Sequence, residues 1–454
     1  MTYFLDPYGC AKNQVDAENM MSILNETGWA EAGDAENADL IIVNSCGFIE
    51  SAKKESINAV LGWRRLYPEK KILLAGCLAQ RYAKELQEIL PEADGFFGID
   101  DPGGISRAIA KAIGFDVAKT FKDTDDTRRV EISPGSRPLL SLPGSAYVKI
   151  SEGCDNRCSF CAIPLIRGGL KSRTRQDIID ESKALLDRGI KELCLIGQDT
   201  GSYGLDLGAV DSSTGFGDGL PGLMESLSEL EGDFWVRLLY IHPDNFPLSI
   251  LDIMERDKRF LPYFDIPFQH ASEKILKAMN RRGTAESYLE LIKTLRRRLE
   301  DAVIRTTFMT GFPGETEEDF ALLLDFQKKA ALDWMGCFAY SREENTAAYK
   351  MKGRVTKKTA TERKRMLEEA QIRISEKQMN RFIGRTLDVL VEEKFEPQDP
   401  SAGETSLYLG RLPCQAPEVD GSTVIFASKP LKTGIIIPCR ITARAGIDLE
   451  AQPL

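Results

Sequence analysis

Histidine is scarce in this chain of 454 residues, which contains only His242 and His270. A zinc site with an imidazole ligand would therefore have to bring one of these two residues to ligands that lie far away in sequence. An excess of positive charge is also lacking, because 59 Lys and Arg stand against 69 Asp and Glu and give a formal net charge of −10. This acidic balance argues against broad, non-specific binding to nucleic acids, which relies on Lys and Arg contacts to phosphate.

Long apolar segments are absent as well. The longest uncharged apolar run, residues 72–79, is far shorter than the roughly 20 residues that a membrane-spanning helix needs. The first residues show no basic-then-apolar targeting pattern, and Asp6 interrupts their one short apolar stretch. We therefore expect a cytoplasmic protein that has no membrane partner.

Ten cysteines are present, and in a reducing compartment they indicate metal or redox chemistry rather than disulfides. The strongest pattern is Cys154, Cys158 and Cys161, a C-x3-C-x2-C loop with polar residues between its cysteines. Soft thiolates select zinc, copper(I) or an iron–sulfur cluster. A structural zinc ion usually takes four protein ligands, whereas three thiolates on a four-iron cluster leave one iron open. The polar spacers argue against three buried core cysteines.

Residues 1–116 alternate short apolar runs with amphipathic ones, which predicts a parallel sheet covered by helices. Cys10, Cys46 and Cys77 each follow one of the three clear strands of this domain. Because parallel strands end at one edge of the sheet, we expect the three sulfurs to meet there. The alternative is that each cysteine packs separately as a small hydrophobic residue.

Three further segments complete the predicted α/β multidomain architecture. Residues 117–144 have the charged, Pro- and Gly-rich composition of a linker. Residues 145–381 contain six strand-then-helix units followed by a basic helical connector, which predicts a partial (β/α)6 barrel with its site at the carboxyl ends of the strands. Residues 382–454 have short β runs and predict a small, five-stranded, OB-like barrel.

Many ordered motifs resemble those of the methylthiotransferase family of radical S-adenosylmethionine (SAM) enzymes. They are the loop 154–161 with Phe160 before its last cysteine, and the stretches 9–18, 44–50, 75–78, 149–154, 163–168, 198–204, 265–272 and 307–315. The resemblance implies a methylthiotransferase domain, a radical SAM core and a terminal TRAM domain. It also implies two 4Fe–4S clusters, one on Cys10, Cys46 and Cys77 and one on Cys154, Cys158 and Cys161. Sulfur insertion and methyl transfer would then use SAM, with electrons from a donor such as flavodoxin.

The same resemblance suggests cofactor contacts in the barrel. Gln198, Gln269 and Gly311, together with Phe160, are expected to contact SAM, and Arg173 or Arg305 to bind its carboxylate. The loop at Gln198 has an ordinary strand-to-helix turn as its alternative, and His270, next to Gln269, could be a satisfied buried polar residue at a helix start. Arg173 and Arg305 could each form a surface or inter-element salt bridge instead. No catalytic residue is assigned, and the acidic run 315–319 is interpreted as a helix cap.

The substrate is the least determined feature, because members of this family modify either a protein or tRNA. Residues 382–454 carry seven Lys and Arg against ten Asp and Glu, a net charge of −3, which favours a basic protein partner for the TRAM domain over RNA. The loop at Gln198, Asp199 and Thr200 resembles the protein-modifying branch. By that resemblance the target is an aspartate β-carbon in small-subunit ribosomal protein twelve. A tRNA adenosine is the alternative, and the basic connector 354–381 favours it.

Two other classes of protein remain open at this point. One is an electron-transfer protein with two clusters and no SAM, and the other is an RNA-binding module whose cysteines hold zinc. The six-unit barrel argues against the first class. Elemental analysis distinguishes the second class, because an RNA-binding module of this kind would contain zinc, whereas an enzyme with clusters would contain iron and sulfide.

Overall fold

The computed structural model describes residues 1–99, 104–112, 135–208, 219–395 and 406–454. Most of the predicted linker lies outside these ranges. The chain forms two compact units. An amino-terminal unit comprises Met1–Leu140, Glu152–Lys171 and Ser341–Tyr349, and a carboxyl-terminal unit comprises Ser141–Ser151, Ser172–Tyr340 and Lys350–Leu454. The loop with Cys154, Cys158 and Cys161 therefore belongs to the same unit as Cys10, Cys46 and Cys77.

The amino-terminal unit contains a five-stranded parallel sheet in the order β2-β1-β3-β4-β5. Its strands are β1 (Thr2–Pro7), β2 (Ala30–Glu31), β3 (Leu40–Ser45), β4 (Lys71–Gly76) and β5 (Gly95–Phe97), and its helices are α1 (Ala11–Glu26), α2 (Glu50–Leu66), α3 (Cys77–Ile89), α4 (Ile105–Ala112) and α5 (Ile163–Arg167). Strand β3 is buried along its whole length because helices cover both faces of the sheet. The predicted parallel sheet is confirmed.

The carboxyl-terminal unit contains six parallel strands in the order β13-β12-β11-β10-β9-β6. The strands are β6 (Ser145–Lys149), β9 (Glu192–Ile196), β10 (Trp235–Leu238), β11 (Phe260–Asp265), β12 (Val303–Thr310) and β13 (Trp334–Ala339), and two short strands, β7 (Ser151–Glu152) and β8 (Lys171–Ser172), pair separately. The helices are α6 (Arg175–Asp187), α7 (Gly219–Ser228), α8 (Ile250–Arg256), α9 (Glu273–Ala278), α10 (Ala285–Arg298), α11 (Glu317–Ala330) and α12 (Lys357–Met379). The prediction of six strand-then-helix units is confirmed.

The last part of the chain forms a closed barrel of five strands, as predicted. They are β14 (Thr386–Phe395), β15 (Ser406–Arg411), β16 (Thr423–Ala427), β17 (Ile435–Ala445) and β18 (Asp448–Pro453). Strand β18 closes the barrel by pairing with both β16 and β17. Closure leaves no unpaired edge among the described strands of this small domain.

The segment 411–421 of the small barrel packs against the amino ends of the parallel strands. Arg411 forms a buried ion pair with Glu192, the first residue of β9. The indole of Trp334, the first residue of β13, donates a hydrogen bond of 2.7 Å to the Cys414 carbonyl. The small barrel therefore closes the amino edge of the sheet, opposite the carboxyl edge where the cofactor contacts are predicted.

Helix α12 joins the two barrels and lies along the parallel sheet. Its buried residues recur every three or four positions: Ala360, Arg363, Leu367, Gln371, Ser375 and Met379. Gln371 donates to the Leu332 carbonyl at 2.8 Å, and Ser375 to the Asp333 carbonyl at 2.6 Å. No described helix has the length and apolarity that crossing a membrane requires.

Candidate functional site

The structure brings Cys10, Cys46 and Cys77 to one edge of the amino-terminal sheet. Cys46 directly follows β3, Cys77 directly follows β4, and Cys10 lies just beyond β1. The register aligns these ends, because Ser45 pairs with Gly76 and Pro7 pairs with Asn44 on the other side of β3. The convergence expected from the strand ends is therefore present in the fold.

Glycines allow the cysteine-bearing segments to lie against one another. A Cβ atom on Gly47 would lie 2.7 Å from the Cys77 carbonyl oxygen, which leaves no room for a side chain. Gly76 has a φ of +93°, and a Cβ atom there would lie 2.6 Å from Asn44 Oδ1. Both positions therefore require glycine.

The side chain of Asn13 lies among the sulfurs. Its Oδ1 is 3.4 Å from Cys77 Sγ and 3.7 Å from Cys10 Sγ, and its Nδ2 donates to the Ser45 carbonyl at 2.8 Å. Cys10 is the residue before α1 and Cys77 is the first residue of α3. The positive ends of two helix dipoles thus face the site, which favours negatively charged sulfur.

Burial raises the pKa of two of these thiols. It raises the pKa of Cys77 to about 12, although the Arg167 guanidinium acts in the opposite direction. Burial also raises the pKa of Cys46, again opposed by Arg167 among other groups. Without metal, Cys77 and Cys46 are therefore protonated at neutral pH, and metal binding by these two thiols releases protons.

The loop with Cys154, Cys158 and Cys161 is held by hydrogen bonds from backbone and amide N–H groups. Cys161 N–H donates to the Cys158 carbonyl at 3.0 Å. Two further N–H groups point at sulfur: Asn156 Nδ2 lies 3.3 Å from Cys154 Sγ, and Ile163 N lies 3.4 Å from Cys161 Sγ. All three cysteines are partly exposed, so a bound group would remain accessible from one side.

Both cysteine sets supply soft sulfur atoms, the kind of ligand that iron–sulfur clusters take. Within the described ranges, no three His, Cys, Asp or Glu side chains are arranged to hold one metal ion. In an iron–sulfur cluster each thiolate binds a different iron, so the thiolates lie farther apart than the ligands of a single ion. The sulfur atoms also accept hydrogen bonds, which suits a site with N–H donors nearby. Phe160, which precedes the last cysteine of the loop, is 9% exposed and mostly buried.

In the carboxyl-terminal unit, Gln198, Gln269 and Gly311 all follow parallel strands and lie at the carboxyl edge of the sheet. Gln269 has a φ of +69°, and its backbone bonds both Thr307 and Met309 across the next strand. Gly311 has a φ of +76°, and a Cβ atom there would lie 2.3 Å from Cβ of Ala360. The need for glycine at 311 therefore comes from the backbone conformation and from contact with α12.

The two arginines considered for the SAM carboxylate lie in different places. Arg173 donates to the Lys149 carbonyl at the carboxyl end of β6 and forms an ion pair with Glu181. Arg305 lies near the amino end of β12, where it pairs with Asp265 at 2.9 Å. For Arg305 the structure shows the ion pair between elements that was the alternative to binding the SAM carboxylate. Of the two, Arg173 is at the edge where a cofactor is expected.

The acidic run 315–319 caps and anchors its helix. Thr316 and Asp319 form a reciprocal capping box at the start of α11. The buried Glu315 carboxylate accepts from Gly311 N–H at 2.8 Å and pairs with Arg363 at 2.6 Å. The interpretation of this run as a helix cap is confirmed for Thr316 and Asp319.

Sequence reasoning did not single out Asn13 and Arg167 as parts of the site. Both lie in stretches whose motif resemblance was noted, at 9–18 and 163–168. Asn13 lies three positions after Cys10, which places it on the same face of the first helical turn. Arg167 carries no comparable local signal, because its contact with Cys77 joins residues 90 positions apart.

Family comparisons agree with the three-part architecture. Residues 2–98 match the uncharacterized protein family UPF0004, residues 148–326 match the radical SAM superfamily, and residues 383–454 match the TRAM domain. Among solved structures, the radical SAM methyltransferase TsrM from Kitasatospora setae, with cobalamin and a [4Fe-4S] cluster bound, has a TM-score of 0.52. It is 14% identical in sequence and covers 74% of each chain. That level of identity supports the fold alone.

Two relatives resemble nearly the whole chain. The ribosomal protein uS12 methylthiotransferase RimO of Treponema denticola is 48% identical, with 98% of this chain and 99% of the relative covered. The protein of the same name from Carboxydothermus hydrogenoformans is 40% identical, with 100% of this chain and 99% of the relative covered.

Proposed function

Because the chain belongs to the RimO family of ribosomal protein uS12 methylthiotransferases, we propose that it adds a methylthio group to ribosomal protein uS12. The acceptor is the β-carbon of an aspartate, in line with the family resemblance of its motifs. The chain is a radical SAM enzyme whose cofactors are SAM and an iron–sulfur cluster. The second cluster is part of this proposal.

The observation that carries the proposal is the presence of two separate sets of three cysteines. Cys10, Cys46 and Cys77 would hold one cluster at the sheet edge, and Cys154, Cys158 and Cys161 would hold the other. When bound, the clusters and SAM would provide the chemistry: SAM is cleaved reductively, hydrogen is abstracted from the substrate, and the methylthio group is supplied. Two sets are expected because generating a radical and supplying sulfur are different tasks.

The protein residues bind and orient these groups. Asn156 and the Ile163 N–H donate toward the sulfurs of the three-cysteine loop and stabilise their thiolate forms. We propose that Gln198, Gln269 and Arg173 contact SAM at the carboxyl edge of the six-stranded sheet. Barrel enzymes of this type place their sites at that edge.

The partner proposed for the TRAM domain is the basic protein uS12. Two acidic residues of the TRAM domain, Glu392 and Asp420, have buried side chains. The acidic side chains that remain at the described surface include Asp388, Glu393 and Glu418, which are exposed. Electrostatic complementarity would then guide encounter with a basic partner.

The decisive experiment offers the reduced, cluster-loaded protein both uS12 and bulk tRNA together with SAM. We expect a methylthio mass increment on a single aspartate-containing peptide of uS12 and none on tRNA nucleosides. Protein in which Cys154 is replaced by Ala serves as the negative control. An increment on tRNA nucleosides with none on uS12 would refute the substrate assignment.

A further inference from the structure

Arg167 is buried in the amino-terminal unit and contacts one of the proposed cluster ligands directly. Its Nη2 is 3.0 Å from Cys77 Sγ and 3.1 Å from Asn13 Oδ1. The same nitrogen pairs with Asp16 at 2.8 Å, while Nη1 pairs with Glu152 at 2.9 Å. The side chain is only 2% exposed, so the guanidinium is a buried cation beside a cysteine sulfur.

The backbone next to Arg167 is bound to the other cysteine set. The carbonyl of Gly168 accepts a hydrogen bond of 3.2 Å from the Cys154 N–H. A Cβ atom on Gly153 would lie 2.0 Å from the Gly169 carbonyl oxygen, which shows how closely the two segments pack. A short path therefore runs from Cys77 sulfur through Arg167 and Gly168 to the backbone of Cys154.

The ion pairs of Arg167 alone do not account for its placement. Burying a guanidinium costs free energy that partners must offset, and Asp16 and Glu152 supply two such partners. However, these carboxylates are 13% and 28% exposed, whereas Arg167 itself is only 2% exposed. The contact with Cys77 is the part of the arrangement that only a buried position provides.

We propose that Arg167 is a positioning residue of the cluster held by Cys10, Cys46 and Cys77. Its guanidinium donates to the Cys77 thiolate and raises the reduction potential of that cluster, while the backbone of the next residue, Gly168, links this site to the three-cysteine loop. Positive charge and N–H donors near sulfur favour the more negative, reduced state of a cluster. The inference rests on the proposed function only in that Cys77 is taken to be a cluster ligand.

The test measures the midpoint potential of this cluster in the full-length chain. Cys154, Cys158 and Cys161 are replaced by Ala so that one cluster remains, since alanine retains the N–H of residue 154 that bonds Gly168. Arg167→Gln and Arg167→Lys are then compared with the parent in an anaerobic potentiometric titration followed by electron paramagnetic resonance. Arg137→Gln is the matched control, because Arg137 is a buried arginine of the same unit, 3% exposed, and its ion pair is with Glu18 on α1.

We expect Arg167→Gln to shift the midpoint to a more negative potential, because the Asp16 carboxylate, which shares Nη2 with Cys77, then remains without the guanidinium. Arg167→Lys should lie between that variant and the parent, and Arg137→Gln should match the parent. Iron loss confined to the Arg167 variants would also support the role. Equal potentials in all variants, or equal iron loss in Arg167→Gln and Arg137→Gln, would overturn it. The titration needs no substrate, so its result is independent of whether uS12 is modified.

Discussion

At the scale of single residues, Gly76 decides where the sulfur of Cys77 lies. Its φ of +93° is a conformation that residues with side chains rarely adopt, and Asn44 Oδ1 and the Ser45 carbonyl occupy the space where a Cβ atom would be. The next residue is the first of α3. A change at Gly76 should therefore move both the helix start and a ligand.

We predict that Gly76→Ala lowers the iron content of the amino-terminal site, because relief of the clash displaces Cys77. Gly28→Ala is a matched control, since Gly28 has a φ of +89° but no atom within 4 Å of its would-be Cβ. Both variants should lose about 1–3 kcal/mol of stability through backbone strain. Iron and sulfide analysis after reconstitution should separate them, and equal iron retention would contradict the steric argument.

The two cysteine sets should be separable by mutation. Replacing Cys154, Cys158 or Cys161 with Ala should abolish reductive cleavage of SAM and leave the other cluster in place, so iron content should fall by about half. The measurement is formation of 5′-deoxyadenosine alongside iron analysis. If one such change emptied both sites, the assignment of two clusters would be wrong.

The reverse change isolates the sulfur-supplying site. Replacing Cys10, Cys46 and Cys77 with Ala should preserve 5′-deoxyadenosine formation and stop methylthio transfer. The reason is that these residues form a site of their own, at the edge of the amino-terminal sheet. Mass spectrometry of uS12 gives the answer, and full methylthiolation by the triple variant would contradict the proposal.

At the scale of elements, the periodicity of the sequence predicted the regular strands and helices but not the conformation of the loops. The strand ends alone placed three cysteines at one edge, because parallel strands share a direction. Strand β2 was missed because it has only two residues, both exposed, and leaves no apolar signal. Local rules also do not predict the left-handed backbone of Gln269, whose N–H and carbonyl are fixed by Thr307 and Met309 on β12.

The start of α11 offers a test that separates capping from catalysis. Thr316→Ala removes a cap and should cost about 1 kcal/mol of unfolding free energy, with no change in the rate of SAM cleavage. Thr284→Ala is the matched control, because Thr284 forms the same kind of capping box with Ser287 at the start of α10. Thermal unfolding and 5′-deoxyadenosine formation are measured for both. A loss of cleavage confined to Thr316→Ala would give this acidic run a functional role.

At the scale of the whole molecule, sequence could not predict how the small barrel meets the large one. Glu192 lies between Arg411 and Arg237 with no exposed side-chain surface. Burial alone would raise its pKa, but the two guanidinium groups outweigh burial and lower the pKa to about 2. Such a contact joins residues 219 positions apart, and nothing in either segment's local pattern marks the partner.

We predict that Glu192→Gln destabilises the carboxyl-terminal unit by about 3–5 kcal/mol, because it leaves buried guanidinium groups without their shared carboxylate. Glu255→Gln is the control, since Glu255 pairs with Arg298 at the surface and its loss should leave stability nearly unchanged. Chemical denaturation of both variants is the measurement. Similar losses would show that the buried ion pairs do not hold the barrels together.

Fewer acidic side chains lie on the described surface of the TRAM domain than its composition suggests. Glu392 and Asp420 are used in buried contacts, and Glu396, Asp399 and Glu404 lie outside the described residues. Asp388→Lys with Glu393→Lys should raise the KM for uS12 and weaken its dependence on salt, while substrate-free SAM cleavage stays unchanged. Glu69→Lys, an exposed change in the other unit, is the control. An unchanged KM would argue against docking through this barrel.

The closure of the sheet by residues 411–421 also has a consequence for biosynthesis. All six strands of the parallel sheet are translated before Arg411, so Glu192 and Arg237 lack this partner until residue 411 has been made. The amino edge of the parallel sheet is therefore open until the segment 411–421 has been translated. We expect ribosome-arrested chains that end before residue 411 to be cut rapidly by protease, and chains in which an added linker holds the last strand clear of the ribosomal exit tunnel to resist.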